Sequence, residues 1–316
     1  KRQEHDAHEL LLHVRAENLR RSRTLVKIIE RNTMMVTFYK YQGAGNDFLI
    51  ADNRDGAICL SKEQIAMLCD RRYGIGADGL MLLDSSETND ADFCMTYYNS
   101  DGSGGMMCGN GGRCIVAFAS DMGIEDFFFN AADGYHSGEI LAAEGRSKTV
   151  SIKMKDVGCC DFHERLSGTV VPSDGYFLDT GTRHFVRFVD GLVSYDVVTE
   201  GRDIRYNAME LQPVGANVNF VEAPGDGFLH VRTYEKGVED ETFACGTGIV
   251  ASCIAAYRKG IPPHEILSQG AVRYDVKALR DSLSVEFRPV DHGDVLAEEV
   301  FLIGPATFVA RIDVEV

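Results

Sequence analysis

The sequence predicts a mixed α/β (α+β) chain built from two related halves, and three observations carry that prediction. The stretch Tyr98 to Phe118, YNSDGSGGMMCGNGGRCIVAF, turns a glycine-rich loop (Asn99 to Gly112) into an apolar, helix-like run at Cys108. The arrangement recurs at Phe243 to Gly248, FACGTG, followed at once by IVASCIAAY. Around both candidate helices, apolar residues alternate in short runs, the period-two signature of strands. One Cys-Gly-x-Gly loop at a helix start is compatible with simple packing. Two, one in each half, point to a duplicated fold whose halves face each other across a site.

Composition narrows the class. A chain of 316 residues with 45% apolar and 25% charged content is long enough for two cores. A net charge of -16 argues against nucleic acid, whose binders present concentrated Lys and Arg to phosphates. No apolar run approaches the roughly 20 residues of a membrane-spanning helix, and no signal-peptide pattern opens the chain. The expectation is a soluble cytoplasmic protein with no membrane partner. Nine cysteines, an odd number without any C-x-x-C pair, suit reduced thiols better than a disulfide scaffold. Cys59, Cys69, Cys94, Cys253 and the vicinal Cys159-Cys160 read as small buried hydrophobes, and no spacing matches a zinc pattern, so no metal site is predicted.

Residues 1–33, rich in Arg and His, carry helix-like apolar positions at Leu10, Val14, Leu25 and Ile29 and read as an extension outside the core. From Val36, VTFYKYQGAGNDFLIAD predicts two strands flanking a turn that presents Asn46. Ser61 and Gln64 have capping-box spacing before Ile65, Leu68 and Cys69, so a helix is expected there. The segment Gly74 to Gly79, GIGADG, matches the dinucleotide fingerprint G-x-G-x-x-G letter by letter. Its context is reversed, because the fingerprint needs strand, turn, then helix, and here a helix precedes the glycines. After strand-like ADFCMTYYN, the helix opened by Cys108 is expected to run to about Asp121. KTVSIKMKDV, GYFLDTG, HFVRFV, NVNFVEA and GFLHVRTY predict a strand-rich second half around the helix that starts at Cys245, and EEVFLIGPATFVARIDVEV reads as two strands about Gly304-Pro305. The repeat places a boundary near Val150.

The first turn of a helix leaves backbone N–H groups unpaired and carries the positive end of the dipole. A cysteine there is expected to ionise more easily, its pKa falling from about 8.5. The neighbouring glycines let a ligand approach the backbone, and their N–H groups form an anion nest suited to a carboxylate. An amino acid held by its α-carboxylate in two such nests would have one cysteine on each face of its α-carbon. One thiolate would remove the α-proton and the other thiol would deliver a proton to the opposite face, which inverts the centre. The developing charge would rest on the carboxylate in a water-poor cleft. No pyridoxal-binding feature is evident, and no cofactor is called for.

At these residues the sequence resembles the diaminopimelate epimerase family. The resemblance rests on GAGNDF (Gly43 to Phe48), GIGADG (Gly74 to Gly79), NSDGS (Asn99 to Ser103), MCGNGGRC (Met107 to Cys114), NVNF (Asn217 to Phe220) and ACGTG (Ala244 to Gly248), and covers nearly everything from Val36 onward. It implies cofactor-independent interconversion of LL- and meso-2,6-diaminopimelate, in lysine and peptidoglycan-precursor biosynthesis. It implies Cys108 and Cys245 as the acid–base pair, with Gly109, Asn110, Gly246 and Thr247 holding the reacting carboxylate and Glu235 the ammonium group. Asn46, Asn99 and Asn217 would bind the distal end, with His184 beside the site. Thr182 stands where the family often has Asn, and Lys236 where an Arg is frequent, so an amide pair and a bidentate fork are lost. The stretch before Cys245 is one residue longer than usual, and Gly79 falls where some members have Gln. The implied fold is two pseudo-symmetric halves, each a curled, mostly antiparallel sheet around a central helix. Residues 34–150 with about 302–316 would form the half carrying Cys108, and 151–301 the half carrying Cys245. A homodimer is the implied assembly. Two other readings stay open: a racemase or epimerase of another amino acid, such as proline or hydroxyproline, and a thiol redox or metal-binding protein.

Overall fold

The computed structural model describes residues 34–316 apart from 87, 89, 106, 159–174, 209–210 and 291–294. The extension 1–33 and the Cys159-Cys160 pair therefore lie outside the described residues.

The Cys108 half comprises β1 (Met35–Gly43), β2 (Asn46–Asn53), α1 (Lys62–Cys69), β3 (Gly79–Asp84), β4 (Phe93–Asn99), α2 (Gly109–Asp121), β5 (Phe128–Ala131), β6 (Gly134–Glu144) and β7 (Ser147–Lys153). The Cys245 half comprises the short β8 (Val157–Gly158), β9 (Gly175–Asp179), β10 (Arg183–Phe188), α3 (Val197–Asn207), β11 (Asn217–Gly225), β12 (Phe228–Glu235), β13 (Asp240–Thr242), α4 (Gly246–Lys259), β14 (Glu265–Ile266), β15 (Val272–Lys277), β16 (Ser282–Pro289) and the long β17 (Val295–Glu315).

The duplication is written in the strand pairings. In the first half β1–β2 is antiparallel, β2–β3 parallel, β3–β4 antiparallel, β4–β5 parallel, and β5–β6, β6–β7 and β7–β17 antiparallel. In the second, β9–β10, β10–β11, β11–β12, β12–β15, β15–β16, β16–β17 and β17–β8 follow the same succession of directions. Each parallel pair needs a crossover, and each crossover contains a helix: α1 and α3 in one pair of equivalent positions, α2 and α4 in the other.

Two expectations need correction. The segment about Gly304-Pro305 is one continuous strand, not two. It pairs with β16 up to Ile303 and with β7 from Gly304 to Thr307, so the chain stays extended while its partner changes. The second half also holds a helix, α3, where only strands around the Cys245 helix were expected. Asp196 caps α3 through the Thr199 N–H, and Gly201 in its middle lies where a Cβ would come within 2.4 Å of Tyr234 Cβ. The glycine lowers helix propensity while permitting the close packing that holds the helix.

Other local expectations match. Ser61 and Gln64 form the full capping box of α1, and Gly74 to Gly79 follows that helix and leads into β3. Residues Cys114 to Ala119 of α2 and Cys253 to Ala256 of α4 are wholly inaccessible and belong to one continuous core. Truncating Phe118 there to alanine would cost about 3–5 kcal/mol. Cys69 and Cys253 are buried as expected, but Cys94 is half-buried and Cys59 is exposed, because Cys59 lies in the loop before α1 rather than on a core face. Residues Met34–Phe38 and Ile312–Val316 form a small separate unit, tied by reciprocal Met34–Val316 backbone bonds of 3.0 and 2.9 Å and by Thr37 Oγ1 donating to Asp313 Oδ1 at 2.6 Å.

Candidate active site

The first turns of α2 and α4 meet. A Cβ on Gly246 would stand 3.6 Å from Gly109 Cα, and one on Gly109 would strike Leu302 Cδ2 at 2.5 Å, so only glycine lets the two helix starts approach against Leu302. Cys108 is the N-cap of α2, its Sγ accepting the Gly111 N–H at 3.3 Å. Cys245 is the N-cap of α4, and its Sγ lies 3.6 Å from Thr247 Oγ1.

Beside this junction opens a cleft of about 1610 Å³, larger than the roughly 300–1,000 Å³ of ordinary small-molecule pockets. Cys108, Gly109 and Asn110 line it from one side, and Cys245, Gly246 and Thr247 from the other. Asn46, Asn99, Thr182, Asn217, Glu235 and Lys236 complete the predicted residues on its walls. His184 is the exception. It is fully buried behind the wall, with Nε2 2.9 Å from Thr182 Oγ1 and 3.0 Å from Thr247 Oγ1.

The surroundings of His184 fix its state. Asn219 Nδ2 donates to Phe185 O at 3.0 Å and lies 3.1 Å from His184 Nδ1, while Asn219 Oδ1 accepts the Thr233 hydroxyl at 2.9 Å. The amide nitrogen therefore faces Nδ1 as donor, so the imidazole carries its proton on Nε2, toward the two threonines. Burial drives the His184 pKa down to about 3, so the ring is neutral. Thr182 and Thr247 share that proton, and the Thr247 hydroxyl also lies 3.3 Å from Thr182 Oγ1 and 3.6 Å from Cys245 Sγ.

The thiols behave differently from the helix-start expectation. Burial pushes the Cys108 pKa up, with the Gly111 N–H and Arg113 opposing and Glu235 adding to the rise. Cys245 is pushed up to about 12, first by burial and then by Glu235, with Thr247 opposing. At both cysteines desolvation outweighs the helix dipole, because a buried thiolate loses water and gains few partners. Glu235 is itself raised by burial despite accepting Thr242 Oγ1 at 2.8 Å. Among the described residues no cation pairs with its carboxylate, a deficit that an incoming ammonium group would fill.

The remaining wall residues are oriented by neighbours. Asn46 Nδ2 donates to Asp78 Oδ2 at 2.6 Å, and Asp78 is held by Arg71 at 2.6 Å, which also pairs with Asp47. Asn217 Oδ1 accepts the Lys236 backbone N–H at 2.8 Å, and Asn99 Nδ2 donates to Ser103 Oγ at 3.0 Å. Asp78, Asn219 and Arg113 were missed as contributors. Arg113 left a signal, since a charged residue inside the apolar run CIVAFA demands a buried partner. Among the described residues no three His, Cys, Asp or Glu side chains are placed to hold a metal ion, and no helix is long and apolar enough to cross a membrane.

Comparison with known proteins places these features in a lineage. The family model described as diaminopimelate epimerase matches residues 38–152 and 176–309. The chain is 42% identical to the diaminopimelate epimerase of Chlorobaculum tepidum over 273 residues, covering 85% of this chain and 97% of that one. It is 41% identical to that of Flavobacterium psychrophilum, covering 86% and 97%. Among solved structures, a Bacillus anthracis phenazine biosynthesis protein of the PhzF family (16% identity, TM-score 0.62, covering 89% and 99%) shares the fold. So does a hydroxyproline epimerase from Agrobacterium vitis (13%, 0.62, covering 89% and 93%).

Proposed function

Because the chain belongs to the diaminopimelate epimerase family, we propose Cys108 and Cys245 as the acid–base pair with which it interconverts LL- and meso-2,6-diaminopimelate. The enzyme is an isomerase of lysine biosynthesis. The observation that carries the assignment of the pair is the meeting of two cysteine-capped helix starts at Gly109 and Gly246.

The substrate α-carboxylate lies between the two first turns, where backbone N–H groups of both helices converge and both dipoles are positive. The side chain of Asn110 is already engaged, donating to Ala244 O at 3.1 Å and accepting from Arg113 at 2.9 Å, so its main chain is the better donor to the carboxylate. The α-ammonium group faces Glu235. Its positive charge, brought beside two buried sulfurs, favours one thiolate and leaves the second cysteine as thiol. The thiolate takes the α-proton, charge passes into the carboxylate, and the opposite thiol returns a proton to the other face. After turnover the two sulfurs have exchanged protonation states. Asn46, Asn99, Asn217, Thr182 and Lys236 receive the distal amino-acid end. A cleft lined by several amides besides the cysteines favours a substrate with a second polar terminus over proline or hydroxyproline. The scheme draws on the chain's own groups throughout, without a cofactor.

The halves in this reading are 34–150 with about 302–316, and 151–301; the handover of β17 between Ile303 and Gly304 supports that division. A cytoplasmic homodimer is the form that accompanies it. The test is proton NMR of LL-diaminopimelate with reduced protein in D2O and no additive. Loss of the α-proton signal together with appearance of the meso isomer is expected. Reduced protein that yields neither would overturn diaminopimelate as substrate.

A further inference from the structure

Arg113 is fully buried, yet among the described residues it has no carboxylate at ion-pair distance. Its guanidinium spends itself on three neutral oxygens: Nη1 donates to Gly109 O at 3.1 Å, Nη2 to Asn110 Oδ1 at 2.9 Å, and Nε to Pro305 O at 3.3 Å. A buried cation without a counter-ion is costly, and nothing in the packing of α2 alone requires one. The second of these bonds shows what it does. Asn110 has its Oδ1 fixed by Arg113, so its Nδ2 must point the other way, and there it donates to Ala244 O at 3.1 Å. Ala244 immediately precedes Cys245. The third bond reaches β17 just past the point where that strand passes from β16 to β7. Arg113 therefore ties the α2 start, the approach to the α4 start and the shared strand into one rigid joint.

We propose that Arg113 is a positioning residue for the proton transfer: through Asn110 it fixes the main chain at Ala244 and so sets the Cys245 sulfur opposite Cys108 across the substrate α-carbon. This rests on the two-base reading given above. An asparagine alone could not perform the task, since an amide with a free oxygen could rotate and release the Ala244 carbonyl. Burial lowers the affinity of the Arg113 guanidinium for its proton, and Cys114, Cys108 and Asp281 oppose that loss.

Inversion needs both sulfurs aligned, whereas exchange needs one. If the far sulfur is displaced, a thiolate still takes the α-proton, its S–H equilibrates with D2O, and deuterium returns to the same face. The product is labelled substrate of unchanged configuration. The experiment is to follow LL-diaminopimelate in D2O with wild type, Arg113→Met and Arg113→Lys, measuring α-proton exchange against meso formation. The ratio of exchange to inversion should rise about tenfold or more in both variants, because small misplacements of a reacting group cost about 10²-fold. The ratio is independent of how much of a variant is folded, so a purely structural role would lower both rates and leave it unchanged, which would overturn the proposal. Should Arg113→Met not fold, Asn110→Asp carries the same test, since it keeps an acceptor for Arg113 but removes the donor to Ala244 O. Wild-type protein that neither exchanges nor inverts this substrate would overturn the underlying reading instead.

Discussion

The two helix starts that face each other are alike in sequence and unlike in surroundings. Cys108 receives a backbone N–H from Gly111 and shares its helix with buried Arg113. Cys245 has the Thr247 hydroxyl at 3.6 Å and the Gly248 backbone N–H to ease its burial, and stands under the influence of Glu235, the next cause after burial of its rise to about 12. Duplication supplied two equivalent places for a sulfur, and later divergence gave the two buried thiols different neighbours. A two-base inversion needs one thiolate and one thiol once substrate is bound, because two thiolates or two thiols would leave one face of the α-carbon unserved.

The comparison can be broken most directly by removing either sulfur. Cys108→Ala and Cys245→Ala should each lower epimerisation by about 10³-fold or more while leaving the circular dichroism spectrum intact, since neither remaining thiol can reach both faces. Near-normal turnover in either variant would end the assignment. Glu235→Gln sharpens the comparison. A carboxylate beside a thiol disfavours the thiolate, so removing it should move the pH midpoint of Cys245 alkylation downward, and that of Cys108 by less. Iodoacetamide labelling of each site in the absence of the other cysteine, read by peptide mass, measures both. Equal movement at the two sites would show that Glu235 does not distinguish them.

The smallest effect concerns the buried imidazole that supports only the Cys245 side. His184 stays neutral down to about pH 3, whereas in the unfolded chain it protonates near 6.5. Between those values the unfolded state binds a proton that the native state refuses. The stability due to this group is therefore present above pH 6.5 and lost as pH falls toward 3, with a slope of up to about 1.4 kcal/mol per pH unit. His184→Gln should flatten the fall of Tm between pH 6.5 and 4.5 relative to wild type; parallel curves would show that the ring is not a net contributor.

Much of this was legible in the chain because the decisive signals are local. A glycine-rich loop ending in a cysteine, a serine three residues before a glutamine, and a glycine run in the wrong order for a nucleotide are all read within a few positions. What was not legible depends on residues far apart. The pKa direction of the thiols needed the cleft walls, since the helix dipole is written at Cys108 and Cys245 but the loss of water is not. The role of Asn110 needed Ala244 and Arg113 together, and without them the side chain looked available to substrate. Helix α3 hid behind Gly201, whose reason is Tyr234 on β12. Strand β17 hid behind Gly304-Pro305, a turn signal that tertiary pairing overrides.

That strand also sets the order in which the molecule can be made. Strand β7 pairs Val150 with Gly304 and Ser147 with Thr307, so its partner leaves the ribosome only after the whole second half has been synthesised. The first half therefore emerges with an open sheet edge, which is prone to wrong pairing, and cannot follow the usual course in which an N-terminal domain folds first. Its completion and that of its neighbour are one late event, dependent on pairing between the middle of the chain and its last strand, and nascent protein stalled before β17 should depend on chaperones to remain competent.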